Sequence, residues 1–189
     1  GKSILKNFLH NISGLSSSYT LQSRESECIK YIQDTVGQSK VLMFVSGGVD
    51  STVCAALLHK ALKPNQVIAV HIDNGFMRKD ESKHVEESLN KLGLHPIVVR
   101  AAHLFYNGMT MVPIDKANPS SRRETSNLLC MVSDPELKRR IIGDTFMKIY
   151  NEIVDDLKLK PEEVYLSQGT LRPDLIESAS QLASKNADA

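Results

Sequence analysis

The chain is short of what several functional classes require, and each shortage excludes one. Lys and Arg number 23 against 22 Asp and Glu, a formal net charge of +1, so no basic field exists to draw in nucleic acid or an acidic membrane. No apolar run approaches the roughly 20 residues of a membrane-spanning helix, and no secretory apolar core follows Gly1-Lys2-Ser3. The expectation is a cytosolic protein of small-molecule ligands, with no nucleic acid and no membrane. The three cysteines, Cys28, Cys54 and Cys130, are odd in number and lack a C-x-x-C pair, which argues against zinc or thiol exchange. They read as reduced, structural thiols, with Cys130 alone in an irregular stretch where a reactive thiol could sit. The six histidines are scattered, so no metal cluster is expected. His71, inside an apolar strand, reads as a hydrogen-bonded core residue rather than a ligand.

What is present is a glycine-bearing run in an informative position. Ser46-Gly47-Gly48-Val49-Asp50-Ser51-Thr52 follows an apolar strand signal, Val41 to Val45, and precedes a helix signal. In that helix Val53, Cys54, Leu57, Leu58, Ala61 and Leu62 are spaced for one buried face. Backbone N–H groups in a first helical turn lack intrahelical acceptors and carry the positive end of the helix dipole, which suits a polyphosphate. Gly47 and Gly48 permit a sharp turn and close approach. Ser46, Ser51 and Thr52 add hydroxyls, and Asp50 offers a hard oxygen to Mg²⁺, which shares its ligands with phosphates. No Lys-Ser or Lys-Thr follows, so this is not a Walker A loop, and G-x-G-x-x-G is absent. The plain alternative is a Ser/Gly turn before a capped helix.

The rest of the chain alternates strand and helix. Residues 1–19 read as a linker with a polar break at Ser16-Ser17-Ser18, and 20–189 as the domain. A helix over 20–36 buries Cys28, Ile29, Ile32 and Val36 and ends at Gly37. Val67 to Ile72 is a second strand, Val85, Leu89 and Leu92 give the next helix its face before Gly93, and Ile97 to Val99 is a third strand. Residues 101–132 break the alternation and read as a long loop, functional or mobile, with room for a short helix. Ser133-Asp134-Pro135-Glu136 reads as a capping box. The helix it opens is buried through Ile141, Ile142, Phe146, Ile149 and Ile153. Val164 to Leu166 is a fourth strand, and a last helix begins near Pro173-Asp174. The pattern predicts an α/β fold with a doubly wound parallel sheet. Ligands bind beyond the carboxyl ends of such strands. Three segments meet that condition: Ser46 to Thr52; Asp73-Asn74-Gly75, which is either an adenosine contact or a common turn; and Gln168-Gly169 onward to Asp174. Asp174 is the second candidate for the magnesium-pyrophosphate region, and Glu177 reads equally as a solvated helix residue.

Four runs carry a resemblance. They are Phe44 to Cys54 (FVSGGVDSTVC), Val67 to Lys79 (VIAVHIDNGFMRK), Lys138 to Phe146 (KRRIIGDTF) and Gln168 to Ala179 (QGTLRPDLIESA). The first resembles the loop of the PP-loop ATP pyrophosphatases. Together they resemble the ATP-pyrophosphatase domain of GMP synthetases, closest to the animal type, from about Phe8 to Ser184. The resemblance implies adenylation of xanthosine monophosphate (XMP) by Mg-ATP with release of pyrophosphate, then amination by ammonia from a glutamine amidotransferase domain. It also implies an ATP site at Ser46, Gly47, Gly48, Val49, Asp50, Ser51, Thr52, Asp73, Asn74, Gly75, Gln168 and Gly169, with Asp50 catalytic through Mg²⁺. Arg139 is similar to the family's XMP-contacting arginine; from the residues alone, Lys138-Arg139-Arg140 is a solvated charge run. In the family the last helix leads through Gly-Lys-Ala into a lid and a dimerisation domain. Here Ser184-Lys185-Asn186-Ala187 stands at that place, so the chain is expected to stop before both and to lack the amidotransferase domain. Other PP-loop adenylating enzymes, of the tRNA thiolase or NAD synthetase type, and a nucleotide-binding protein without turnover are the alternatives.

Overall fold

Alternation along the first strand decides the architecture. In β1 (Lys40–Phe44), Val41 and Met43, with Val45 just beyond, enter one apolar cluster while Leu42 and Phe44 enter another. Both faces of this strand are therefore covered, which is the condition of a parallel sheet wrapped by helices. The computed structural model describes residues 1–16, 18–114, 120–171 and 173–174.

Four parallel strands form the sheet: β1, β2 (Val67–Asp73), β3 (Ile97–Arg100) and β6 (Val164–Gln168), in the order β3-β2-β1-β6. The chain steps outward from β1 to β3 and then returns to lay β6 on the free side of β1. The point where the winding reverses thus lies between the carboxyl ends of β1 and β6, where open α/β sheets hold ligands. On one face pack α2 (Leu21–Val36), α3 (Val49–Ala61) and α4 (Glu81–Lys91), through Val36, Ala55, Leu58, Val85 and Leu89. On the other lie α5 (Ala102–Tyr106) and α6 (Pro135–Asp156), through Phe105, Ile149 and Ile153.

Local chemistry fixes the helix ends. Thr20 caps α2 by accepting from Ser23 N–H at 3.0 Å, and Gly37 closes it at φ 56°. At the end of α4, Gly93 at φ 80° lets its own N–H bond Asn90 O and the Leu94 N–H bond Leu89 O, each at 3.0 Å. That pair of bonds satisfies carbonyls the helix would orphan.

Several expectations are corrected. The cap of α6 is Asp134, whose carboxylate accepts from Leu137 N–H at 2.8 Å, one residue beyond the Ser133 of the capping-box reading. Val53 is 52% exposed rather than on the buried face of α3, which consists of Ser51, Ala55, Leu58 and Ala61. Leu92 is exposed, and Leu94 fills the core position expected of it. Phe146 is not buried. Residues 2–12 of the linker are helical, α1 (Lys2–Lys6) running into a π-turn at Asn7–Ile12, with no buried residue. The 101–132 stretch holds α5, an antiparallel pair β4 (Met111–Pro113) and β5 (Arg123–Thr125), and a 3₁₀ turn at Leu129–Met131. The last helix is described only at residues 173 and 174; Glu177, Ser184 and the rest of 175–189 lie outside the described residues.

Candidate nucleotide site

The loop after β1 reaches α3 through two glycines with different duties. Gly47 holds φ 91°, and a Cβ there would lie 2.3 Å from Val85 Cγ2, so α4 backs the loop directly. Gly48 is the N-cap of α3. The first i→i−4 bond of that helix runs from Thr52 N–H to Gly48 O at 3.1 Å, which leaves the N–H groups of Val49, Asp50 and Ser51 ahead of the ladder.

The hydroxyls close the loop on itself. Ser51 Oγ donates to Gly48 O at 3.1 Å, and Thr52 Oγ1 donates to the same carbonyl at 2.9 Å. With the Ser51 proton so committed, Ser46 Oγ donates to Ser51 Oγ at 3.2 Å and accepts from Gly48 N–H at 3.3 Å. Backbone amides are therefore the loop's first donors to an anion, and the hydroxyls set its shape. His71, fully buried, locks it from behind. Its Nδ1 lies 2.7 Å from Val45 O, an atom that only accepts, so Nδ1 carries the proton and Nε2 accepts from Ser82 Oγ at 3.1 Å. The ring joins the end of β1 to the first turn of α4, in keeping with a core histidine.

A cavity of about 570 Å³ opens at the winding reversal. Its polar rim is Ser46 and Ser51, Asn74 after β2, and Gln168 at the end of β6 with Gly169 and Thr170 beyond it. Its apolar wall includes Ile72, Met77 and Leu166, and α6 closes it with Gly143, Phe146, Met147 and Tyr150. Such a chamber, mostly apolar with a few placed polar groups, is the usual form of a small-molecule site. Gly169 draws β6 against α3: a Cβ there would lie 2.5 Å from Ser51 N and Cα. The α6 wall was missed in the sequence because apolar residues on a long helix read as core. Phe146 is held by an edge-on contact with Phe105 at 4.7 Å between centroids, and Phe105 meets Phe76 at 6.2 Å. The 101–132 stretch pins the same helix, since Thr110 Oγ1 donates to the Asp144 carboxylate and a Cβ at Gly108 would lie 2.8 Å from Thr145 Oγ1.

The expected site residues divide. Ser46, Ser51, Asn74, Gln168 and Gly169 line the chamber. Asp73 does not; strand alternation turns it to the opposite side, beside Arg78 and Arg100, and its carboxylate accepts from Gly75 N–H at 3.2 Å. Gly75, at φ 81°, packs against Ala102. Val49 is 77% exposed and does not line the chamber. Gly47 and Thr52 line a second cavity, about 410 Å³, on the α4 side of the loop. Arg139 is exposed, pairs with Glu136 at 3.5 Å, and lies one turn before Gly143 in α6, outside the chamber lining. Asp174 caps its own turn, accepting from Leu171 N–H at 2.9 Å, and is outside the chamber lining.

Asp50 is exposed in the first turn of α3 and has no hydrogen-bond or ion-pair partner among the described residues. Those residues contain no group of three His, Cys, Asp or Glu able to hold a metal. A single free carboxylate beside an anion-binding loop fits Mg²⁺, which takes most of its ligands from phosphate and water. The same carboxylate has a second effect. Burial pushes the Cys54 thiol above its ordinary pKa, and the Asp50 charge adds to the rise.

Comparison with known proteins agrees with this geometry. The NAD synthase family model matches residues 21–124. The glutamine-hydrolyzing GMP synthase of Dictyostelium discoideum is 55% identical over 188 residues, covering 100% of this chain and 25% of that protein. A probable GMP synthase of Caenorhabditis elegans is 48% identical, covering 100% and 24%. That of Aliarcobacter butzleri is 41% identical over 180 residues, covering 95% and 30%. The chain spans about a quarter of the length of the first two relatives. No helix among the described residues is long and apolar enough to cross a membrane. With a glycine loop at the winding reversal of a parallel sheet and a family match over more than half its length, the chain belongs to the NAD synthase family, and it resembles GMP synthases from end to end.

Proposed function

We propose that this chain is the ATP-pyrophosphatase part of a GMP-forming ligase, with residues 20–189 as that domain and 1–19 as the linker from an amidotransferase domain. The observation that carries the proposal is the chamber at the β1/β6 reversal, where one wall is a helix N-terminus and the other is α6. In this reading the purine and ribose of ATP lie against Ile72, Leu166 and Met147, with Asn74 and the Gln168-Gly169 backbone supplying polar contacts. Asp73 and Gly75 shape the turn that presents Asn74. The amides of Val49, Asp50 and Ser51 face the phosphates.

The 2-oxygen of XMP attacks the α-phosphorus, the bond to the bridging oxygen breaks, and pyrophosphate leaves; ammonia then displaces AMP to give GMP. Phosphoryl and adenylyl transfer need alignment and charge neutralisation more than covalent help. Asp50 would hold Mg²⁺, which supplies neutralisation of the leaving pyrophosphate when bound. Asp174 is the second acid assigned to that region. Arg139, one turn before the chamber-lining Gly143 in α6, suits a phosphate or purine oxygen of XMP through its planar fork of donors. The free cysteines are in keeping with a cytosolic setting. The lid, the dimerisation domain and the source of ammonia are assigned to other parts of the longer protein.

The test is calorimetric titration of the chain with Mg-ATP, alone and with XMP present. Binding that XMP strengthens is the expected result; binding that XMP leaves unchanged refutes the GMP-forming reading. The NAD synthase match over 21–124 supports one second reading, adenylation of a different acceptor, and the same titration separates the two.

A further inference from the structure

Helix α6 is anchored differently in its two halves. The downstream half is buried on the sheet through Ile149 and Ile153. The upstream half, which brings Gly143, Phe146 and Met147 to the chamber, is held by the segment that runs from α5 to the 3₁₀ turn. Leu129 and Val132 bury Ile141 in a small cluster of their own. Gly108 approaches so closely that a Cβ there would lie 2.8 Å from Thr145 Oγ1 and 3.0 Å from Ile141 Cγ2. Between these two contacts Thr110 Oγ1 donates to the Asp144 carboxylate. Thr110 is 7% exposed and is itself fixed just ahead of the β4–β5 pair: its N–H donates to Ser126 Oγ at 3.0 Å, and its carbonyl accepts from Ser126 N–H at 2.8 Å. A hydroxyl-to-carboxylate bond is stronger than a neutral one, and without its acceptor the buried Thr110 hydroxyl would lose its partner. Neither residue lines the chamber.

We propose that Thr110 and Asp144 are positioning residues: through their bond the β4–β5 pair sets how far the upstream half of α6 stands from the carboxyl ends of β1 and β6, and so sets affinity for the nucleoside. The ligand part rests on the nucleotide reading above and deepens it, whereas the placement of the wall does not depend on that reading. Phe146 and Met147, the side chains that would shift, bound the apolar part of the chamber. A nucleotide would therefore lose contacts to its base and ribose while the glycine loop stayed as it was.

The test is a double-mutant cycle on the chain. Thr110→Val deletes the donor and keeps the shape, Asp144→Ala removes the acceptor at an exposed position, the double variant removes both, and Thr110→Ser keeps the donor. Amide hydrogen exchange of the ligand-free chain and calorimetric titration with Mg-ATP are both read well below the unfolding midpoint. Each single variant should speed exchange of amides 143–147 at least tenfold with those of β1 and β2 unchanged, and should weaken Mg-ATP binding on the order of tenfold. The double variant should match Asp144→Ala within twofold, because one bond is lost only once, and Thr110→Ser should behave as wild type. Exchange that rises equally in β1 and β2, additive losses in the double variant, or Mg-ATP affinity within twofold of wild type in both single variants overturns the proposal. A wild type that binds no Mg-ATP refutes the nucleotide reading alone; the clamp then stands or falls on the exchange of 143–147, and unchanged exchange there overturns it.

Discussion

Replacing Gly169 with alanine tests whether the contact between β6 and α3 builds the site. Its φ lies outside the left-handed region, so alanine is conformationally allowed and only space is at issue. The added Cβ would lie 2.5 Å from Ser51 N and Cα and 2.9 Å from Asp50 C. All three neighbours are backbone atoms in the first turn of α3, and none can rotate aside. Restoring ordinary contact at 3.4 Å requires the two segments to part by about 0.9 Å. Overpacking of this kind costs about 1–3 kcal/mol, and at roughly 2–4 °C per kcal/mol for a chain of this size the midpoint should fall by about 2–12 °C. The same displacement moves the amides of Val49 to Ser51 relative to the chamber. Since misplacement near 1 Å costs on the order of 10²-fold where geometry matters, Mg-ATP affinity should drop at least tenfold. Thermal unfolding and calorimetric titration read the two effects separately. An alanine variant with an unchanged midpoint and an affinity within twofold of wild type would refute the reasoning.

Three further predictions follow from single side chains. Asp50→Ala should impair Mg-ATP binding at least tenfold while costing no more than about 1 kcal/mol of stability, because the carboxylate is exposed and contributes only its interaction with the helix dipole; a large fall in unfolding temperature without ligand would show a structural role instead. Arg139→Ala should lower XMP use more than ATP affinity and leave stability within about 0.5 kcal/mol, since its ion pair with Glu136 is solvent-exposed; equal losses for both ligands would count against the XMP assignment. Alkylation near pH 8, followed by mass spectrometry, should modify exposed Cys130 first and Cys54 last, because burial and the Asp50 charge keep Cys54 protonated to higher pH. Asp50→Ala should speed Cys54 alkylation less than tenfold, as burial is the larger cause; no acceleration at all would remove the electrostatic link.

Strands β1 and β2 were legible because a parallel strand covered on both faces leaves a nearly continuous apolar run; the edge strands β3 and β6 were legible only as short apolar runs, since part of each stays exposed. The glycine turn between β1 and α3 was legible because glycines between such a run and a helix signal mark a sharp reversal of the backbone. The pair β4 and β5 was not, since three-residue strands with exposed side chains carry no period. The fate of Asp73-Asn74-Gly75 was not legible either. A strand's two-residue period sends neighbours to opposite faces, and only the structure tells which face holds the chamber. Phe146 and Val53 share one cause of error: each is apolar at a helical spacing, but one borders the chamber and the other a shallow groove beside α2. The cap of α6 shifted by a residue because the Asp134 carboxylate takes the Leu137 amide, one position beyond the Glu136 amide that a Ser133 cap would use.

The pairing of β1 with β6 has a kinetic meaning as well as a spatial one. Lys40 is in register with Val164, on the order of 120 positions later, whereas its other neighbour, β2, begins within the next turn of the alternation. Loop-closure entropy makes the distant contact the slower one to form. The strand that carries Leu166, Gln168 and Gly169 to the chamber is thus the one whose arrival waits on most of the chain. Under the proposed function, nucleotide affinity is acquired at the end of folding: a ligand finds its full set of contacts only once β6 has docked, and it stabilises that last-formed contact above all others.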